Sequence, residues 1–268
     1  MCGTCGCSNQ NKITISKPED HHHGHHHHHH HDHHDHHHNH DHEHSHHHQH
    51  PSAKKVLEIE QDILHHNNVS AARNRGFFEA KNIIALNLVS SPGSGKTTFL
   101  ENTLTNLKST FNFYVIEGDQ QTMNDANRIK ALDIPVVQIN TGKGCHLESD
   151  MVYEAVKKLE IKENSFLMIE NVGNLVCPSM FDLGEKKRIV IISVTEGEDK
   201  PQKYPDMFHS SDICIINKID LLPYLKFDIQ KLKNYASQVN HHLQFFEVSA
   251  QTGEGMDQWY EWLKENFV

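Results

Sequence analysis

From Ile83 onward the chain alternates short apolar runs with stretches of helical periodicity, and this alternation restricts the fold more than any other feature. Apolar runs occupy 83–89, 113–117, 134–139, 166–169, 189–194, 213–216 and 244–248, with helical segments at 97–108, 147–160, 226–239 and 255–267 between most of them. Strands separated by helices pair in parallel and carry the helices on both faces of the sheet. The expected fold class is therefore α/β, with a mostly parallel, doubly wound sheet. Residues 83–268 are enough for one domain with a sizeable core.

Two other regions precede it. Residues 53–82 read as a helical arm, with Val56, Ile59, Ile63 and Leu64 at helical spacing, a break near Asn67-Asn68 and a second helical stretch from about Val69 to Lys81. Residues 1–52 read as a tail that is disordered without metal. Within it, 22 of the 30 positions from His21 to His50 are histidine, interrupted mainly by Asp32, Asp35, Asp41 and Glu43. Such a segment has almost nothing apolar to bury. Imidazole is a ready ligand for late first-row metals at neutral pH. An affinity tag is short, terminal and uninterrupted; this tract is long, internal and interleaved with acids. A flexible array binds many ions loosely, so it points to metal storage without naming the metal.

The chain carries 25 basic against 35 acidic side chains, a net charge of −10. That balance argues against nucleic acid and anionic membranes as partners. No apolar run reaches the length of a membrane span, and the start lacks a secretory pattern, so a cytoplasmic protein is expected. In a reducing compartment the cysteines Cys2, Cys5, Cys7, Cys145 and Cys177 read as metal ligands rather than as a disulfide framework. Cys214, inside Ile213-Cys214-Ile215-Ile216, reads as a buried, inert thiol.

The first strand runs into Ser90-Ser-Pro-Gly-Ser-Gly-Lys-Thr97 and then a helix, the context of a P-loop NTPase. Gly93, Ser94 and Gly95 can wrap a phosphate so that amide N–H groups face it. Lys96 would reach the β- and γ-phosphates, and Thr97, followed by Thr98, would hold Mg²⁺. The generic pattern has Gly where this chain has Ser90. Further on, Asn217-Lys218-Ile219-Asp220 follows the strand 213–216. Asp220 can accept from both N1–H and N2–H of guanine, which adenine cannot offer. Asn217 would bond the N7/O6 side, Lys218 would lie along the base, and Ser249-Ala250 would bring an N–H to O6. The nucleotide is therefore GTP. Asp119 and Glu170, at the ends of two strands, complete the expected magnesium environment, and Gly173 is a candidate γ-phosphate sensor. No clear water-orienting residue stands out, so slow turnover is expected; Lys200 is a candidate charge reaching the nucleotide.

Cys2, Cys5 and Cys7 can converge on one ion because Gly3 and Gly6 permit tight backbone paths. Three thiolates and a nitrogen donor suit Ni²⁺, and Zn²⁺ is a second fit. Cys145-His146 and Cys177 read as another ligand group, and Cys177 follows directly on the stretch that begins at Glu170.

Taken together, residues 1–7, the histidine tract and nearly all of 53–268 resemble the nickel-insertion GTPases of nickel–iron hydrogenase maturation, the HypB family. The resemblance rests on Ser90–Thr98, Glu117–Gln121, Thr141–Leu147, Glu170–Pro178, Glu196–Pro201 and Asn217–Asp220, and Ser90 fits that family's pattern. It implies a SIMIBI-class GTPase acting as a GTP-dependent homodimer, with a tight nickel site at Cys2, Cys5 and Cys7. It also implies a weaker nickel or zinc site at Cys145, His146 and Cys177 near the dimer contact. Partners would be a hydrogenase maturation accessory protein and the large-subunit precursor. Two other readings are a urease-type nickel GTPase, against which the CxxCxC start argues, and a nickel storage or detoxification protein.

Overall fold

The computed structural model describes residues 13–18, 53–120 and 124–267; the CxxCxC cysteines Cys2, Cys5 and Cys7 and the His21–His50 tract lie outside them. One eight-stranded sheet organises the chain. Its strands are β1 (Thr14–Ser16), β2 (Ile83–Ser90), β3 (Phe113–Asp119), β4 (Val136–Asn140), β5 (Ser165–Glu170), β6 (Lys187–Ser193), β7 (Ile213–Asn217) and β8 (Gln244–Glu247). They lie in the order β1-β4-β3-β5-β2-β6-β7-β8, parallel throughout except for the antiparallel β1–β4 pair. Among the described residues the α-helices are α1 (Ala53–Ala80), α2 (Lys96–Leu107), α3 (Asn124–Lys130), α4 (Ser149–Leu159), α5 (Lys200–Lys203), α6 (Pro205–His209), α7 (Ile229–Val239) and α8 (Met256–Phe267), with short 3-10 turns at Cys177–Met180 and Ile219–Tyr224. This is the α/β P-loop fold, with its first strand of the P-loop unit, β2, in the middle of the sheet. The connections diverge on either side of β2, which opens a crevice at the carboxyl ends of the strands.

Alternation along the strands divides the core. Leu86, Leu88, Val115, Met168 and Ile191 face one side and pack with Phe99 and Leu104 of α2 and Trp259 of α8. The other side carries two apolar clusters. One joins Ala85, Ile116 and Leu167 to Phe78 of α1 and to α4; the second joins Val190 and Ile192 to Phe208 of α6 and Leu232 of α7. The buried positions of α2 (Phe99, Leu100, Thr103, Leu104 and Leu107) follow the helical repeat that made it readable.

Two expectations are corrected. The arm has no break at Asn67-Asn68: α1 is one helix of 28 residues. An asparagine breaks a helix when its side chain competes for its own backbone. Here the buried Asn67 side chain is engaged by other elements instead, donating to Asp182 O (2.8 Å) and accepting from Ser149 N (2.9 Å). The tail expected to be disordered also contains β1, which pairs Thr14–Ser16 with the edge of β4 and is fastened by a hydrogen bond from Lys158 Nζ to Ile15 O. No helix among the described residues is long and apolar enough to cross a membrane.

Candidate functional site

The loop after β2 turns on two glycines with positive φ, Gly93 (+77°) and Gly95 (+90°). A Cβ on Gly95 would sit 2.5 Å from Asn217 Nδ2, so a side chain here would be strained by the positive φ and would have to displace Asn217. Lys96 and Thr97 open α2, and both meet Glu170 at the end of β5: Lys96 Nζ is 2.6 Å and Thr97 Oγ1 2.7 Å from Glu170 Oε1. Glu170 Oε2 is buried with no hydrogen-bond partner, as is Ser94 Oγ. The hydroxyl and the carboxylate with its spare oxygen suit Mg²⁺, and the lysine suits the phosphate that would accompany it. Gly173 packs against the loop, since a Cβ there would stand 3.3 Å from Pro92. Lys200 Nζ lies 3.3 Å from Ser91 Oγ and 3.2 Å from Glu196 Oε2. Thr98 Oγ1 takes a bond from Arg128 Nη2.

One acid at this site escaped the sequence reading. Register sets Glu117 of β3 directly opposite Glu170 of β5. Both are fully buried. Burial, and then the neighbouring Glu170 charge, push the Glu117 carboxyl well above its ordinary value. Burial would also raise Glu170, but the Lys96 cation and hydrogen bonds from Glu117, Lys96 and Thr97 hold it below its ordinary value. Burial would lower Lys96, yet the Glu170 charge outweighs it and keeps the ammonium above its usual range. The two acids are therefore driven in opposite directions, Glu117 toward its neutral form and Glu170 toward its charged form beside Lys96. Asp119, two residues on, lies at the end of β3, where Oδ1 accepts from Gln120 N at 2.6 Å.

The residues expected on the base side are tied to one another within the protein. Asn217 uses both ends of its side chain within the protein: Nδ2 donates to Ser94 O (2.9 Å), and Oδ1 accepts from Lys218 N (2.8 Å) and Ala250 N (3.0 Å). It braces three loops, leaving the second Nδ2 hydrogen unused among these bonds, and Ala250 N is already engaged. Ser249 Oγ likewise accepts from Thr252 N. Lys218 folds over the P-loop, Nζ to Gly93 O at 2.6 Å. Asp220 Oδ1 is buried without a partner, an acceptor available to N–H groups of a base.

The other ligand group converges as read. Cys145, His146 and Cys177 place one donor atom each within 4.8 Å of one another. Cys145 Sγ is 2.7 Å from Cys177 Sγ and 3.7 Å from His146 Nδ1. Two thiolates cannot share that separation without a proton or a cation between them. The imidazole stacks on Phe181 with ring centres 3.9 Å apart, and its buried Nε2 has no hydrogen bond, only Glu148 Oε1 at 3.5 Å. Cys214, by contrast, is sealed in the core and its thiol is raised by burial, as an inert packing residue should be.

Residues 84–247 match the family described as CobW/HypB/UreG, nucleotide-binding domain. Over 213 residues the chain is 54% identical to the hydrogenase maturation factor HypB of Escherichia coli K12, covering 80% of this chain and 73% of that one. The chain belongs to the HypB family. The hydrogenase/urease maturation factor HypB of Helicobacter pylori J99 is 39% identical, with 80% and 89% covered. Among solved structures, HypB from Helicobacter pylori in complex with nickel matches with a TM-score of 0.71 at 38% identity, covering 75% of this chain and 96% of that one. HypB from Archaeoglobus fulgidus also matches with a TM-score of 0.71, at 35% identity over 76% and 99%. A HypB chain is a P-loop nucleotide-binding protein of hydrogenase maturation, and this one carries the Cys145–His146–Cys177 group within that framework.

Proposed function

We propose that the protein is a GTP-hydrolysing nickel metallochaperone that stores nickel and delivers it to the nickel–iron hydrogenase large-subunit precursor. The observation that carries this reading is the Cys145–His146–Cys177 cluster, whose Cys177 lies seven residues beyond the Lys96-paired Glu170. Residues 83–268 act as the GTPase domain, 53–82 as its arm and 1–52 as the metal-binding tail. Lys96, Thr97, Asp119 and Glu170 hold phosphate and Mg²⁺, and Asp220 selects guanine. Catalysis of phosphoryl transfer is mostly positioning and charge stabilisation. Lys96 meets the developing negative charge, and Glu170, to which Thr97 also donates, keeps the Lys96 ammonium fixed between the P-loop and β5. Nickel is cargo. Cys2, Cys5 and Cys7 bind it tightly, the His21–His50 tract holds it loosely, and the internal site takes nickel or zinc in a GTP-dependent homodimer. The accessory maturation protein and the precursor receive it. The name of the Helicobacter pylori relative, a hydrogenase/urease factor, supports urease maturation as a second outlet.

A ligand shifts a conformational equilibrium only through different affinities for its two states. Nickel at Cys145, His146 and Cys177 is therefore expected to bind differently with GDP and with a non-hydrolysable GTP analogue. Titration of the full chain and of Cys177→Ser tests this: equal nickel affinity in both nucleotide states overturns the coupling. Deleting residues 21–50 should lower the number of nickel ions bound and leave GDP affinity unchanged.

A further inference from the structure

Strand β2 is apolar apart from Asn87 and its terminal Ser90, and Asn87 is completely buried. It sits on the sheet face where the cluster under α1 and α4 meets the cluster under α6 and α7. Its Nδ2 donates to Glu185 Oε1 (3.0 Å), and its Oδ1 accepts from Asn171 Nδ2 (3.3 Å). Glu185 pairs in turn with Arg188, the residue opposite Asn87 on β6, at 2.9 Å. Four polar side chains thus form a buried seam between two hydrophobic cores. Buried charges and amides are costly, and apolar side chains of similar volume would stabilise the fold at least as well.

The ends of the seam explain its presence. Arg188 donates from Nη1 to Ser179 O (3.1 Å) and from Nη2 to Phe181 O (2.8 Å), clamping the turn that begins at Cys177. Glu185 Oε2 accepts from Leu183 N (2.7 Å) in the same loop. At the other end Asn171 Oδ1 accepts from Leu147 N (3.2 Å), the amide next to His146. Phe181, held by Arg188, is the ring on which His146 stacks. The middle of the seam belongs to nucleotide-bearing strands: Asn87 precedes the P-loop on β2, and Asn171 follows Glu170.

We infer that Asn87 is a positioning residue for the Cys145–His146–Cys177 centre, linking the P-loop strand to both loops that carry its ligands. It makes a displacement of β2 against β5 and β6 a displacement of thiolates against imidazole. The inference rests on the proposal that this triad binds nickel. Groups that orient metal ligands typically change affinity 10–100-fold when removed.

The test uses the full chain carrying Cys2→Ser, Cys5→Ser and Cys7→Ser, so that the thiolate-to-nickel charge-transfer band reports Cys145 and Cys177. Nickel is titrated with Mg²⁺ and either GDP or a non-hydrolysable GTP analogue. Asn87→Leu is expected to shift the band, weaken nickel roughly tenfold or more and make the two nucleotide curves coincide, with GDP affinity within about twofold of the parent. A purely structural role would lower the melting temperature and leave band position and nucleotide dependence unchanged; that result overturns the inference. Asn87→Ser, polar but too short to span the seam, is expected to behave the same way, and parent-like behaviour in it overturns the inference where Asn87→Leu does not fold. A band absent from the parent, or surviving Cys177→Ser, defeats the nickel assignment itself instead.

Discussion

Asp220 holds a buried carboxylate oxygen that nothing in the described protein satisfies. Each charge-assisted bond to a guanine N–H contributes about 1.5–3 kcal/mol. Asp220→Asn exchanges an acceptor for an amide that can also present donors, and is expected to weaken GDP binding by at least about tenfold without unfolding the domain; calorimetric titration checks this. Glu117 makes a different prediction. Its folded-state value lies above the unfolded one, so the folded protein holds the extra proton and this group's contribution to stability falls as pH rises through that interval. Glu117→Gln keeps a hydrogen-bond donor toward Glu170 and removes the titration. Urea midpoints should then fall less steeply toward high pH than in the parent. The sequence placed Glu117 and Asp119 at one strand end and on one face, because they share parity. Which of them meets Glu170 depends on the register of β3 against β5, and residue pattern does not fix register between parallel strands. The role of Asn217 was hidden for a related reason: its partners, Ser94 and Ala250, are far away in the chain.

At the scale of elements, what could be read was whatever was long enough to repeat. Helix α2 shows its stripe over three turns, and each later strand is a clear apolar run. Strand β1, helix α3 and the short helices α5 and α6 are too brief to show a period, and none was foreseen. Helix α1 was foreseen but split, since Asn67-Asn68 looks like a stop until Ser149 and Asp182 are seen to occupy the Asn67 side chain. Two glycines record how closely the elements pack around the ligand loops. A Cβ on Gly184 (φ +86°) would come within 2.7 Å of Ala71 O on α1. Gly184→Ala combines left-handed strain of about 1–2 kcal/mol with a backbone clash, and a loss exceeding 2 kcal/mol in chemical denaturation is expected. Gly118, between Glu117 and Asp119, would place a Cβ 2.9 Å from Leu147 Cδ1. Gly118→Ala is expected to cost about 1–3 kcal/mol as overpacking and to disturb nickel binding, because Leu147 adjoins His146.

For the molecule as a whole, alternation of strand and helix made the fold class legible, and the P-loop followed from its place after the first strand of that series. Cys145 and Cys177 are 32 positions apart and meet because β4, β3 and β5 are neighbours in the sheet; composition suggested ligands, but topology brings them together. The sheet's own boundary was not legible. β1 covers one side of β4, and an uncovered strand edge pairs readily with other chains. Removing residues 1–18 is therefore expected to raise self-association in light scattering, and to lower the melting temperature by about 2–4 °C for each kcal/mol lost.

The direction of β1 gives the protein a polarity. Thr14 lies opposite Asn140 and Ser16 opposite Gln138. The polypeptide therefore enters this strand at the pole where Thr141–His146 begins and leaves it toward the opposite pole. Three residues thus give the sheet edge a direction, with Thr14 beside the loop that carries Cys145 and His146 and Ser16 farther from it.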